Sequence, residues 1–101
     1  MMAVRHIVTW NYREGLSDEQ NRENALKIKS SVEALDKIVD GIIELRVFIN
    51  ELRTSNRDLV VNSLFESEEA LANYQVHPEH QQAGAFIASV TQDRACIDYH
   101  E

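Results

Sequence analysis

The residues best suited to chemistry lie together in one short stretch, NYQVHPEHQ at residues 73–81. It holds Tyr74, His77 and His80 around Pro78, the only proline in the chain. An imidazole titrates near neutrality, so it can take and return a proton without a cofactor, and a phenol can donate a hydrogen bond to an oxyanion. These residue types suggest His80 as a general base and Tyr74 as its oxyanion donor.

A metal site in the same stretch is disfavoured by the spacing. His77 and His80 are three residues apart, whereas the HExxH pattern needs four, and Pro78 would strain a continuous helix through both histidines. Zinc also needs a third and usually a fourth ligand. Other candidates in the chain are Glu79, His6 and His100. Nothing in their spacing favours them, so we predict no metal and no cofactor.

A purely structural role is the main alternative for this stretch. A residue before proline is restricted to an extended backbone, so His77 is expected at a joint between two helices, where its imidazole can bond local backbone groups. Tyr74 and His80 could likewise satisfy each other near a helix end. Both possibilities therefore stay open for the pair.

His6 and Trp10 lie in VRHIVTWN, residues 4–11, which is rich in β-branched and aromatic residues and is typical of a strand. Val4, His6, Val8 and Trp10 would share its buried face. His6 is either a core histidine bonded to its surroundings or the wall of a pocket between sheet and helices, and Trp10 is either core or an aromatic wall.

Composition and charge exclude several classes of protein. A chain of 101 residues with 44% hydrophobic residues and one proline indicates one globular domain, residues 1–101. A formal net charge of −7 with scattered Lys and Arg argues against nucleic acid or anionic membrane as a partner. Apolar runs are too short for a signal peptide or membrane span, so we expect a cytoplasmic protein.

The lone Cys96 is expected to be a small buried residue.

The first half of the chain predicts strand, helix, strand. Ser17 and Gln20 fit a capping box that starts a helix. An apolar stripe follows at spacings of three and four, which indicates a helix lying on a sheet. The stripe consists of Ala25, Ile28, Val32, Leu35 and Val39. After Gly41, residues 42–52 return to a strand-like composition.

The second half predicts strand, broken helix, strand. A polar loop at 53–58 leads into a strand at 59–66, which completes a hairpin. Ser67 is expected to cap a short helix, Pro78 starts a second helical segment, and residues 95–100 are strand-like.

This order predicts an α+β fold of the ferredoxin-like type, βαββαβ, with a four-stranded antiparallel sheet and its helices on one face. The other face would carry apolar residues such as Ile7, Val60 and Leu64. A second copy of the same chain usually covers such a face. We therefore predict a homodimer.

Four segments carry a family resemblance: VRHIVTW, FES, ANYQVHPEHQ and IDYH. Together they resemble the stress-responsive dimeric α/β-barrel (Dabb) proteins, nearly end to end. The resemblance implies a dimeric α/β barrel with the helices outside. Polyketide cyclases of this family use no metal or organic cofactor, and by analogy His80 is the base of a ring closure while Tyr74 holds the substrate oxygen. The same resemblance implies a pocket for a phenolic or β-keto compound, lined by His6, Val8, Trp10, Val61, Leu71 and Gly84.

Two functions remain. Our sequence-based interpretation is a non-catalytic dimeric protein that binds a small molecule or serves as a structural module; it predicts that Tyr74 and His80 bond each other or the backbone and leave no cavity. The alternative is a cofactor-independent enzyme, cyclase-like or lyase/isomerase-like. It predicts a closed pocket with both rings facing one space.

Overall fold

The computed structural model describes residues 2–101, which form one sheet with helices packed on one of its faces. The sheet is antiparallel, with strand order β2-β3-β1-β4, so the predicted ferredoxin-like fold is confirmed. The elements are β1 (Val4–Tyr12), α1 (Asp18–Glu33), a 3-10 segment (Ala34–Lys37), β2 (Ile42–Ile49), β3 (Leu59–Phe65), α2 (Glu68–Val76), α3 (Pro78–Val90) and β4 (Thr91–His100). No helix in residues 2–101 has both the length and the apolar character needed to cross a membrane.

The first helix begins at the predicted capping box. Ser17 Oγ accepts from the Gln20 backbone N–H at 3.1 Å, and the Gln20 side chain accepts from the Ser17 N–H at 2.9 Å. All five residues of the predicted stripe are buried. The first three lie on α1, which ends at Glu33, whereas Leu35 lies in the 3-10 segment and Val39 just after it. The stripe packs α1 against the sheet.

Strand pairing decides which residues can meet at the site. On β1, Val4, His6, Val8 and Trp10 are buried beneath the helices, while the alternate residues face the other side. Directly opposite residues of paired strands share a face. The β4 register places Asp98 opposite His6 and Cys96 opposite Val8, so both point to the helix side of the sheet.

Two strand boundaries differ from the prediction. β4 begins at Thr91 instead of residue 95, because α3 runs directly into it, and a bulge follows where Asp93 has a φ of 56°. β2 ends at Ile49 instead of residue 52. The chain turns there because the Asn50 side chain accepts from the Leu52 N–H at 2.7 Å.

Cys96 is exposed, so its expected burial is wrong for the single chain. The reason is that β4 is an edge strand, and nearly all of its residues lie beyond the cover of the helices. The open face of the sheet also keeps large apolar residues exposed, including Ile97 at 59% and Phe48 at 46%.

Candidate active site

A cavity of about 400 Å³ lies between the sheet and the two C-terminal helices. Seven of the eight residues predicted for the site line it: His6, Val8, Trp10, Val61, Tyr74, His80 and Gly84. The structure does not bring Leu71 into this cavity. Its side chain is buried beside a separate depression, which Val4, Asp98 and His100 also line.

Tyr74 and His80 face each other across the joint between α2 and α3. Their ring centroids are 4.3 Å apart and the ring planes are inclined at 54°. They come from different helices because the chain turns at His77, whose extended backbone (φ −63°, ψ 133°) ends α2 and caps α3. The turn aims both rings into one space.

His77 has the structural role expected of it. Its Nδ1 accepts from the Glu79 backbone N–H at 3.1 Å, and its own N–H donates to the Tyr74 carbonyl at 3.2 Å. Pro78 occupies the first turn of α3, where a missing N–H has no cost. His77 is not part of the cavity wall.

Tyr74 is packed as part of the core. It is only 2% exposed, and its ring lies 4.9 Å from Phe65 and 6.5 Å from His6, measured between centroids. Burial raises the pKa of Tyr74 to about 12. The phenol is therefore protonated at neutral pH and can act as a hydrogen-bond donor.

His80 is partly buried, and its Nδ1 is fully enclosed with no hydrogen-bond partner among residues 2–101. Burial lowers the pKa of His80 below its ordinary 6.5. The nearby Gln75 carbonyl acts in the opposite direction, while the charges of His6 and Arg94 add to the lowering. The imidazole is thus neutral at pH 7 and able to accept a proton.

His6 links the cavity to the edge of the sheet. It is 4% exposed, and its Nδ1 is hydrogen-bonded to Asp98 Oδ1. Cys96 Sγ lies 3.7 Å from the same nitrogen. These three side chains carry the only group of potential metal ligands found close together within residues 2–101. Sequence reasoning missed Asp98, because its approach to His6 depends on the register of β4.

A polar end of the cavity was also missed. Gln92, Asp93 and Arg94 lie at the start of β4, and all three line the cavity beside His80. Sequence reasoning placed this segment before the last strand and assigned it no role. The signal was available in the charged pair itself, because Asp93 and Arg94 closely follow the apolar positions of the third helix.

Comparison with known proteins agrees with the fold. The family model of the stress-responsive A/B barrel domain matches residues 4–101. A dimeric protein of unknown function with a ferredoxin-like fold from Bacteroides fragilis is 28% identical, with a TM-score of 0.92 and coverage of 98% of this chain and 96% of that one. No curated protein matches the sequence significantly.

More distant structures share the fold alone. A dimeric ferredoxin-like protein of unknown function from Thermobifida fusca is 23% identical, with a TM-score of 0.81 and coverage of 99% and 92% of the two chains. A hydroxynitrile lyase from Passiflora edulis is 18% identical, with a TM-score of 0.75 and coverage of 98% and 93%. The family match spans nearly the whole chain, so this protein belongs to the stress-responsive A/B barrel domain (Dabb) family.

Proposed function

We propose that this protein is a homodimeric acid–base catalyst acting on a small carbonyl or phenolic compound, with His80 as the base and Tyr74 as the oxyanion donor. The observation that supports it best is the cavity into which both rings face. The non-catalytic interpretation expected these side chains to bond each other or the backbone and to leave no cavity. The geometry favours the enzymatic alternative.

The environment of His80 suits a base. Its enclosed Nδ1 would carry the proton of the neutral ring. This leaves the Nε2 lone pair for a substrate. A general base must be unprotonated before it can act, and the lowered pKa of His80 keeps its imidazole neutral at pH 7.

The environment of Tyr74 suits a donor. When His80 removes a proton from the carbon next to a carbonyl, the electron pair moves onto the carbonyl oxygen. The phenol of Tyr74 can hydrogen-bond that oxygen, and its high pKa keeps its own proton in place. One pre-positioned donor of this kind is worth roughly 10²–10³ in kcat. The enolate carbon then either attacks a second carbonyl of the same compound, whose oxygen takes the proton back from His80, or recovers that proton itself.

The walls of the cavity limit the substrate. Its volume is within the range of about 300–1,000 Å³ common for small-molecule sites. Val8, Trp10 and Val61 form an apolar side, whereas Arg94 lies at the polar end. A compound with an apolar part and a carboxylate or acidic hydroxyl fits both ends, as phenolic and β-keto acids do.

The dimer is part of the proposal because the sheet leaves one apolar face open. Ile97 and Phe48 are largely exposed on this face, and the relatives from Bacteroides fragilis and Thermobifida fusca are described as dimeric. A second copy placed sheet to sheet would cover these residues and leave the helices, and the cavity beneath them, on the outside.

A second candidate is a binding protein that uses the same cavity without chemistry. The close packing of Tyr74 against Phe65 and His6 favours it, because a core tyrosine needs no catalytic reason. The two candidates differ in their chemistry: both bind a ligand beside His80, but only an enzyme moves a proton.

Histidine NMR tests whether the cavity accepts a ligand. The imidazole signals of His6, His77 and His80 are followed during addition of phenolic and β-keto acids. We expect His80 and His6 to shift and His77, outside the cavity, to stay unchanged. A Gly84→Leu variant, in which a side chain fills the cavity, should abolish the response. Signals from His80 that ignore every ligand would contradict both candidates.

A further inference from the structure

We propose that His6, Cys96 and Asp98 form a binding site for a borderline divalent cation such as Zn²⁺, at the edge of the sheet beside the cavity. The site is separate from the pair of Tyr74 and His80 and goes beyond the proposed acid–base function. Only His6 belongs to both, since Cys96 and Asp98 do not line the cavity.

The three donor atoms already converge. His6 Nδ1, Cys96 Sγ and an Asp98 carboxylate oxygen all lie within 4.8 Å of one another. Cys96 Sγ is 3.7 Å from His6 Nδ1 and 3.7 Å from Asp98 Oδ1. With metal bonds of about 2.0–2.2 Å to nitrogen and oxygen and about 2.3 Å to sulfur, tetrahedral ligands place sulfur about 3.5 Å from the other two atoms. The sulfur is thus nearly in position.

The remaining pair needs a small adjustment. His6 Nδ1 and Asp98 Oδ1 are in direct hydrogen-bond contact, closer than two ligands of one ion. The Asp98 side chain is 41% exposed, so a rotation of its carboxylate can open the gap, whereas the buried His6 ring stays in place. An ion would take the place of the direct hydrogen bond between the two side chains.

The backbone holds this arrangement by strand pairing. His6 on β1 lies directly opposite Asp98 on β4, and Cys96 is two residues before Asp98, on the same face of the strand. Ligands on paired strands are positioned more rigidly than ligands on loops. The geometry therefore belongs to the sheet and not to a mobile segment.

The donor set suits zinc and its spectroscopic substitute cobalt. Imidazole nitrogen, thiolate sulfur and carboxylate oxygen are the three ligand types that Zn²⁺ takes in proteins, and three protein ligands leave a fourth position for water. A thiolate and a carboxylate also balance the double positive charge. Cys96 and Asp98 are exposed, so the ion can reach the site from solvent.

Cobalt titration of the full chain tests this proposal directly. Protein freed of metal by a chelator is titrated with Co²⁺, and the charge-transfer absorption of a cobalt–thiolate bond is recorded. We expect this band to saturate at one ion per chain and to disappear when Zn²⁺ is added. Binding should strengthen as the pH rises, because the thiol must lose its proton.

Three variants complete the experiment. Cys96→Ser should remove the band. Loss of a group that only supports a metal ligand weakens metal binding roughly 10–100-fold, so loss of a ligand oxygen in Asp98→Asn should weaken Co²⁺ binding at least as much. His100→Ala is the matched control, since His100 is an exposed histidine on the same strand and should leave binding unchanged. Circular dichroism checks that each variant is folded.

A wild type without a cobalt–thiolate band would overturn the proposal, as would equal Co²⁺ affinity in wild type and Cys96→Ser. A loss caused by His100→Ala would show adventitious binding at the strand end and would also overturn it. None of these results bears on whether the cavity binds an organic ligand, so the metal site is tested independently of the proposed function.

Discussion

The rings of Tyr74 and His80 lie 4.3 Å apart although the two residues belong to different helices, separated by a proline. In one continuous helix, residues six apart point in different directions, because 3.6 residues complete a turn. The break at His77 and Pro78 brings the two rings together above the cavity. The joint is therefore the structural element that creates the candidate active site.

The first prediction concerns stability and pH. Burial lowers the pKa of His80, so the folded protein binds a proton at this site less readily than the unfolded chain does. The free energy of unfolding should carry no penalty from His80 above about pH 6.5, should decrease as the pH falls below that value, and should level off below the folded pKa. Urea unfolding at several pH values measures it.

The matched variant for this prediction is His80→Gln, which cannot titrate. Its free energy of unfolding should decrease less than that of the wild type between pH 7 and 5. Parallel curves for the two proteins would show that the buried imidazole is not responsible.

The second prediction compares two glycines. Gly84 lies within α3 and a Cβ built there meets no atom within 4 Å, so Gly84→Ala should stabilise the protein by about 0.5–1 kcal/mol through helix propensity. Gly41 has a φ of +87°, and a Cβ there would lie 2.6 Å from the Ala70 Cβ. Gly41→Ala should therefore destabilise.

Thermal or urea unfolding of both variants measures the difference. The two substitutions add the same methyl group. Opposite changes in the free energy of unfolding would therefore come from the local structure at each glycine and not from alanine itself. A destabilised Gly84→Ala would mean that the space above the glycine is not open.

Much of the fold could be predicted from the sequence because it depends on local patterns. The capping box at Ser17 and Gln20, the helical stripe and the alternation on β1 each show in a few neighbouring residues, and the structure confirms them. The start of β4 was missed because α3 passes into the strand without a loop, so no turn residues mark the boundary.

The site could be predicted only in part. Tyr74 and His80 are close in sequence, so their residue types suggested the pair, and the family resemblance added the reaction. The contact of His6 with Asp98 joins residues 92 positions apart and follows from strand register, which a single sequence does not specify. Leu71 was expected in the cavity, but its side chain lies beside a different depression.

The third prediction concerns the dimer. Ile97→Asp places a charge on the open face of the sheet, where Ile97 is 59% exposed in the single chain. Burying an unpaired carboxylate between two copies is costly, so this variant should be monomeric. Light scattering coupled to size exclusion measures the mass.

Leu26→Asp is the control for the third prediction. Leu26 is 55% exposed, a similar fraction, but it lies on α1, away from the sheet face. It should leave the dimer intact. Dissociation by Leu26→Asp instead of Ile97→Asp would place the interface on the helices.

The fourth prediction concerns the polar end of the cavity. Arg94 lines it close to His80, so a ligand carboxylate can pair with its guanidinium. Arg94→Gln should weaken binding of β-keto acids but leave binding of the corresponding neutral esters nearly unchanged. Calorimetry on each acid and ester pair measures both affinities. An equal loss for acid and ester would mean that Arg94 acts on cavity shape and not on charge.

Proton exchange in D₂O tests the central claim most directly. A β-keto compound that shifts the His80 signal is incubated with wild type, His80→Gln and Tyr74→Phe, and loss of its α-proton signal is followed by NMR. We expect exchange above the buffer rate with wild type, at least about 10²-fold slower exchange with His80→Gln, and an intermediate loss with Tyr74→Phe. If all three proteins exchange the bound compound at the buffer rate, the cavity binds without catalysis and the proposed enzyme activity is wrong.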